Sequence, residues 1–148
     1  MNRTIKFRGK SIENRQNGQW IYGYYLSDHD GYSSRELIVD CITGFSYEVD
    51  PITISQFTGL FDKNGKEIYE GDIVERVVPK HPNFGFVGNV VFDNNIALFC
   101  VEHDKFVSNS RTPFVMPDDW IDEHSNKLEC EFEIKGNTYD NPELIKKE

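Results

Sequence analysis

Three groups of residues carry side chains capable of chemistry. Asp28, His29 and Asp30 set three potential metal ligands in one polar stretch. A metal centre usually draws a further His or carboxylate from elsewhere in the fold, with partners that fix each ligand. A solvated polar loop is the stronger reading, and no metal is expected. Asp118, Asp119, Asp122 and Glu123 crowd a second segment. On a helix, Asp118 and Asp122 would share a face at i, i+4, but general acid–base work needs a pKa raised by burial. A solvated acidic face is again the stronger reading. The third group is Trp20, Tyr22 and Tyr24, flanked by Arg3, Lys6, Arg8, Lys10 and Arg15, which together form the one basic cluster of the chain.

Strand alternation places Trp20, Tyr22 and Tyr24 on one face and Ile21 and Tyr25 on the other. Such a face most often packs in a core or against a neighbouring subunit. The functional alternative is an exposed platform for a peptide or for stacked bases, with the flanking cations holding phosphates. Lys6, Arg8, Trp20, Tyr22 and Tyr24 are therefore the candidate binding residues. No catalytic residue emerges. His81, His103 and His124 stand in polar surroundings with no Cys or His at ligand spacing. No serine sits in a nucleophile-elbow pattern, no cysteine carries a catalytic signature, and no Gly-rich loop joins a strand to a helix to cradle a phosphate. A non-enzymatic protein without cofactors is expected.

Strands must hold these residues. Ile5-Lys-Phe-Arg8 alternates and ends at Gly9, and Trp20 to Leu26 follows an Asn17-Gly18 turn. Residues 27–35 are polar and read as a surface loop. Glu36 to Ile42 and Phe45 to Val49 are strands around Thr43-Gly44, and Asp50-Pro51 breaks the pattern. Ile54 to Val74 reads as strand, polar turn, strand, with Asn64-Gly65 predicting a type I′ hairpin because both central residues of that turn need positive φ. Glu75 to Val78 prolongs the last strand to Pro79, and residues 80–85 form a loop. Phe86 to Phe92 and Ile96 to Val101 flank a turn at Asp93 to Asn95. Pro117 to His124 is the best short helix, Leu128 to Ile134 alternates with a row of glutamates, Gly136-Asn137 turns the chain, and residues 141–148 make a terminal helical turn.

These elements imply a mainly β fold, an all-β barrel or sandwich of short antiparallel strands and hairpins with minor helix. The eleven Phe, seven Tyr and two Trp suit it, since flat side chains favour strands and supply most of the burial in a small β core. The chain length of 148 fits a single domain over residues 1–148, within which 1–50 can form an N-terminal β subdomain beside a core of 51–148. The net charge of −9 opposes non-specific binding to nucleic acid, whose affinity comes from cations meeting phosphates. Cys41, Cys100 and Cys130 read as buried, reduced thiols, and no apolar run is long enough for a leader or a membrane span. A soluble protein of a reducing cytoplasm is expected.

With those residues in view, the chain resembles the YopX family of phage and prophage proteins. Three blocks carry the likeness: Ile5 to Gly9 with Trp20 to Tyr25; Gln56 to Val74; and Ile134 to Leu144. The middle block, Gln56-Phe-Thr-Gly-Leu-Phe-Asp-Lys-Asn-Gly-Lys-Glu-Ile-Tyr-Glu-Gly-Asp-Ile-Val74, is long and specific. The resemblance implies a mostly β, barrel-like protein encoded in phage genomes of low-G+C bacteria, and it carries over no catalytic residue. Gly71-Asp-Ile-Val74 also looks like the turn into a strand of SH3-like barrels, an analogy of fold and not of function. The leading expectation is a phage accessory protein that works as a protein-interaction module, as a homo-oligomer. The alternatives are nucleic-acid binding through the N-terminal basic-aromatic surface, or an acidic nucleic-acid mimic that captures a basic host protein.

Overall fold

The computed structural model of the protein describes residues 2–77, 79, 84–103, 110–113 and 132–145. The acidic segment 118–123, the expected helix at 117–124, Cys130, His81 and the first half of the glutamate-rich alternation lie outside them. The chain divides into two compact units, Met1–Gly59 and Leu60–Glu148.

The first unit contains β1 (Phe7–Lys10), β2 (Trp20–His29), β3 (Ser34–Asp40), β4 (Ser46–Glu48) and most of β5 (Ser55–Phe61), in the antiparallel order β4-β3-β2-β1-β5. Alternation decides its core. Phe7, Ile21, Ile38, Tyr47, Val49 and Ile54 pack together on the inner side. A 3-10 turn at Pro51–Thr53, with the Asp50 carboxylate accepting from the Ile52 N–H (3.1 Å), leads into β5.

The chain at the end of β4 folds back onto the end of β1. Ser11 and Val49 form an antiparallel bridge, the Ile12 N–H donates to the Glu48 carbonyl (3.0 Å), and the Asp50 N–H donates to that of Lys10 (2.9 Å). Two glycines permit this. A Cβ on Gly9 would come within 2.9 Å of Val49 Cγ2, and one on Gly23 would overlap the Val39 carbonyl. The segment after β1 also covers part of the β4 edge: the Glu48 N–H donates to Glu13 Oε1 (2.8 Å), so β4 offers less free backbone to a pairing strand.

The second unit contains β6 (Glu67–Tyr69), β7 (Asp72–Arg76), β8 (Val87–Asp93), β9 (Leu98–His103), β10 (Ser110–Pro113) and β11 (Phe132–Asn137). Its antiparallel sheet runs β10-β9-β8-β7-β11, so the last strand returns beside the first. Ile68, Val74, Val90, Val101 and Phe132 form its core, with Phe99 and Ile134 against them. The end of β5 and β6 make the hairpin that the sequence predicts, but with a different turn. Gly65 has φ 79°, whereas Asn64 keeps a negative φ, so the turn is not type I′. The Gly65 N–H donates to the Asp62 carbonyl (2.9 Å), and the buried Asp62 carboxylate accepts from the N–H groups of Asn64 (2.8 Å), Lys66 (2.9 Å) and Ile134 (3.2 Å). This Asx-type capping holds the turn open by one residue and fastens it to β11.

Other boundaries differ from the sequence reading for local reasons. The polar stretch 27–35 is mostly strand, since β2 runs to His29 and β3 starts at Ser34, leaving only a short turn. Gly9 lies inside β1 and does not end it. The β8–β9 turn reaches Ala97, which takes φ 55°, so β9 begins at Leu98. Gly136 sits within β11 at a register shift instead of ending it. The helical turn expected at the C-terminal end is a 3-10 turn at Pro142–Ile145. Cys100 is buried as expected, but Cys41 is exposed, because it falls in the turn after β3.

Two substitutions test this account. Asp62→Ala leaves three backbone donors without their carboxylate and should cost about 2–4 kcal/mol in urea unfolding, with Asp62→Asn losing less; a loss below about 0.5 kcal/mol would contradict the role assigned to it. Gly23→Ala sets a methyl group against backbone that cannot step aside, and should cost about 2 kcal/mol or more in the same measurement.

Candidate functional site

Residues directly opposite in antiparallel strands share a face. Arg8 stands opposite Tyr22 and Lys10 opposite Trp20. Further along, Tyr24 stands opposite Val39, Leu26 opposite Leu37, and Asp28 opposite Arg35. The candidate residues therefore gather on the outward face of the first unit's sheet. Ile21, between two of them, points inward and is 7% exposed, while Tyr22 is 37%, Tyr24 59% and Leu26 49% exposed. The aromatic side chains of Tyr22 and Tyr24 face solvent instead of the core.

The cations behave differently from one another. The Arg8 guanidinium lies 4.5 Å from the centre of the Trp20 ring, and Lys10 Nζ lies 5.4 Å from it. Both distances suit a cation–π contact. Arg8 is buried, at 5% exposure, whereas Lys6, Lys10 and Trp20 are half-buried. Arg8 thus supports the indole from below and is poorly placed to meet a phosphate. Leu26, Leu37 and Val39 extend the patch and were not among the residues that the sequence suggested. Continuing the β2 alternation past Tyr24 reaches Leu26 and then Asp28, which reading residues 27–35 as a loop conceals.

The Asp28-His29-Asp30 stretch is occupied by hairpin structure. Arg35 Nη2 donates to Asp28 Oδ2 at 2.6 Å. The Asp30 carboxylate accepts from the N–H groups of Ser33 (2.7 Å) and Tyr32 (3.0 Å), and these bonds hold its pKa below the usual carboxylate value. On the opposite face, Glu36 accepts from the Tyr25 hydroxyl (2.5 Å) and the Ser27 hydroxyl (3.1 Å), and Ser27 Oγ lies 2.8 Å from His29 Nε2. The Tyr25 bond is the main cause of both resulting shifts: it lowers the Glu36 pKa and raises that of Tyr25. Among the described residues, no group of three or more His, Cys, Asp or Glu is placed to hold a metal ion. No helix among them is long and apolar enough to cross a membrane.

An antiparallel sheet with an aromatic outer face, followed by a unit built on the Asp62 hairpin, joins the sequence blocks noted above into one pattern. The YopX family, described as YopX protein, matches residues 6–146, and the chain belongs to that family. No curated protein matches it. Among solved structures, the chain is similar to the crystal structure of protein EF1440 from Enterococcus faecalis, with 20% identity and a TM-score of 0.44 over 98% of this chain and 100% of that one. The blocks that carry the family likeness have structural work. Asp62 caps the hairpin, and the Asp72 carboxylate accepts from the Tyr69 N–H (2.8 Å). Asn137 and Asn141 cap each other's turn: the Asn141 N–H donates to the Asn137 carbonyl (2.8 Å), and the Asn137 N–H donates to Asn141 Oδ1 (3.3 Å).

The Tyr25–Glu36 bond gives a pH prediction. A raised Tyr25 pKa means that its contribution is present below the ordinary value of 10.0 and is lost as pH rises through the raised one. A lowered Glu36 pKa means that its contribution is present above the ordinary value of 4.5 and is lost as pH falls through the lowered one. The β2–β3 hairpin should therefore hold best between these limits. Glu36→Gln should return the Tyr25 titration toward its ordinary value, as read by NMR of the tyrosine ring; an unmoved titration would refute the coupling.

Proposed function

We propose that the chain is a non-enzymatic, phage-encoded protein-interaction module of the bacterial cytoplasm, with the outward face of β2 and β3 as its working surface. One observation supports this above others: β2 is apolar on both sides. The outward side of a half-solvated antiparallel sheet is normally polar, yet here it carries Tyr22, Tyr24 and Leu26 exposed, with Leu37 and Val39 half-buried beside them. Exposed apolar surface of this kind usually marks a binding site, and tyrosine supplies large contact area at little cost in conformational freedom. The barrel-like reading belongs to the same proposal. The Ser11–Val49 bridge supports it for the first unit, and the return of β11 beside β7 for the second.

A second reading, single-stranded nucleic-acid binding, draws support from the cations at Trp20 and from the way charge is divided. Residues 1–59 hold six Lys or Arg against seven Asp or Glu, a net of −1, so the remaining −8 lies in the second unit. Bases could stack on Tyr22 and Tyr24 with little repulsion from the unit that carries them.

A pull-down of tagged protein from host lysate, with and without nuclease, separates the readings when wild type is compared with Tyr24→Ser. The protein-interaction reading expects a nuclease-resistant partner, lost in Tyr24→Ser while circular dichroism is unchanged. Recovery that needs intact nucleic acid, falls steeply with salt and is lost in Lys6→Ala with Trp20→Ala would replace it with the second reading.

A further inference from the structure

We propose that the outward face of β2 and β3 pairs with the same face of a second copy of this chain, around a two-fold axis, in a weak and salt-sensitive dimer. The inference rests on the interaction-module reading and names its partner. The strip differs from end to end. Lys10 stands beside Trp20 at one end, and Asp28 stands beside Arg35 at the other. Tyr22, Tyr24 and Leu26 lie between them along β2, with Val39 and Leu37 alongside on β3. Arg35 holds the Asp28 carboxylate in place at 2.6 Å, and Asp30 follows two residues on.

A two-fold axis that lies in the interface and runs across β2 reverses one strip against the other, whereas one that runs along β2 would leave them parallel. Each Lys10 end then meets the partner's Asp28 end, and the apolar middles meet each other. The same faces stacked in parallel would bring like ends together, so only the reversed arrangement is complementary. The competing route to self-association, pairing through the edge of β4, is obstructed where Glu13 and Ile12 already bond to Glu48.

Size sets the strength. Nine residues of strand from Trp20 to Asp28 span about 26 Å, and two strands give a width of about 10 Å. Each copy then buries on the order of 300 Å², well under the ~800 Å² per partner of a standard interface. The dimer should therefore have a dissociation constant in the micromolar range or weaker.

Sedimentation equilibrium of the full chain, from about ten micromolar to about one millimolar and at low and high salt, tests this. Wild type should show a monomer–dimer equilibrium that weakens with salt. Tyr24→Ser, Lys10→Asp and Asp28→Lys should each weaken it by about tenfold or more. The double variant Lys10→Asp with Asp28→Lys should recover to within about fivefold of wild type, because exchanged ends still meet. Dilution of wild type followed by amide NMR gives a second readout that needs no variant, with shifts expected at Tyr22, Tyr24 and Leu26. A monomer at every concentration, dilution shifts confined to other residues, or a double variant as weak as the singles would overturn the proposal. If wild type is monomeric but Tyr24→Ser still loses a lysate partner, the dimer fails and the interaction module stands. If Tyr24→Ser changes neither, both fail.

Discussion

The first unit depends on how closely its strands approach one another at Gly9 and Gly23. A sheet that folds back on itself at β1 and β4 must bring side chains on its inner side into the space of neighbouring strands. At Gly9 that space is filled by Val49, and at Gly23 by the carbonyl of Val39. With those two positions bare, the inner side closes over Ile21, Ile38 and Val49 as a small dry core. The same closure presents Trp20, Tyr22 and Tyr24 on the outside. Burial of Ile21 and exposure of Tyr24 are thus one event, because successive side chains on a strand cannot choose their faces independently.

The acidic surplus of the chain acquires a structural meaning. Asp30, Asp40, Asp50, Asp62, Asp72 and Asp93 each accept a hydrogen bond from a backbone N–H one to four residues away. Ionised carboxylates make strong acceptors for such groups, and a fold built from short strands has many turns to cap. Part of the negative charge therefore reflects turn construction and not a ligand. The same holds for Asp28, one of three potential metal ligands in the sequence, which serves as the partner of Arg35 in the hairpin.

Arg8 and Trp20 show how a functional pattern and a structural one overlap. A cation beside an aromatic side chain suits nucleic-acid binding, but burial of the guanidinium beneath the indole makes the pair a packing element first. The surface that remains available is apolar and aromatic, with charge at its ends. The proposed protein partner would use that surface, whereas a phosphate backbone needs accessible cations.

Local physics made much of this legible in the sequence. Alternation located the strands around Trp20, Glu36, Phe57 and Val90, Gly and Asn marked the turns, and the long middle block identified the family. Alternation also put Trp20, Tyr22 and Tyr24 on one face. It could not say which face is inside, because both faces of β2 are apolar and period-two patterning then gives no preference. Nor could it tell that Asn64 keeps a negative φ, since the turn geometry is set by the Asp62 carboxylate, which reaches 72 residues along the chain to Ile134. The extension of the strands to Asp28 and Arg35 was hidden for a related reason. Polar residues from Ser27 to Arg35 read as a loop on their own, and they become strand only because β2 and β3 satisfy each other's backbone hydrogen bonds across the sheet. The sequence determined which residues alternate and where the chain turns. Tertiary structure decided which side closed on Val49, because that choice depends on contacts between strands far apart in the chain.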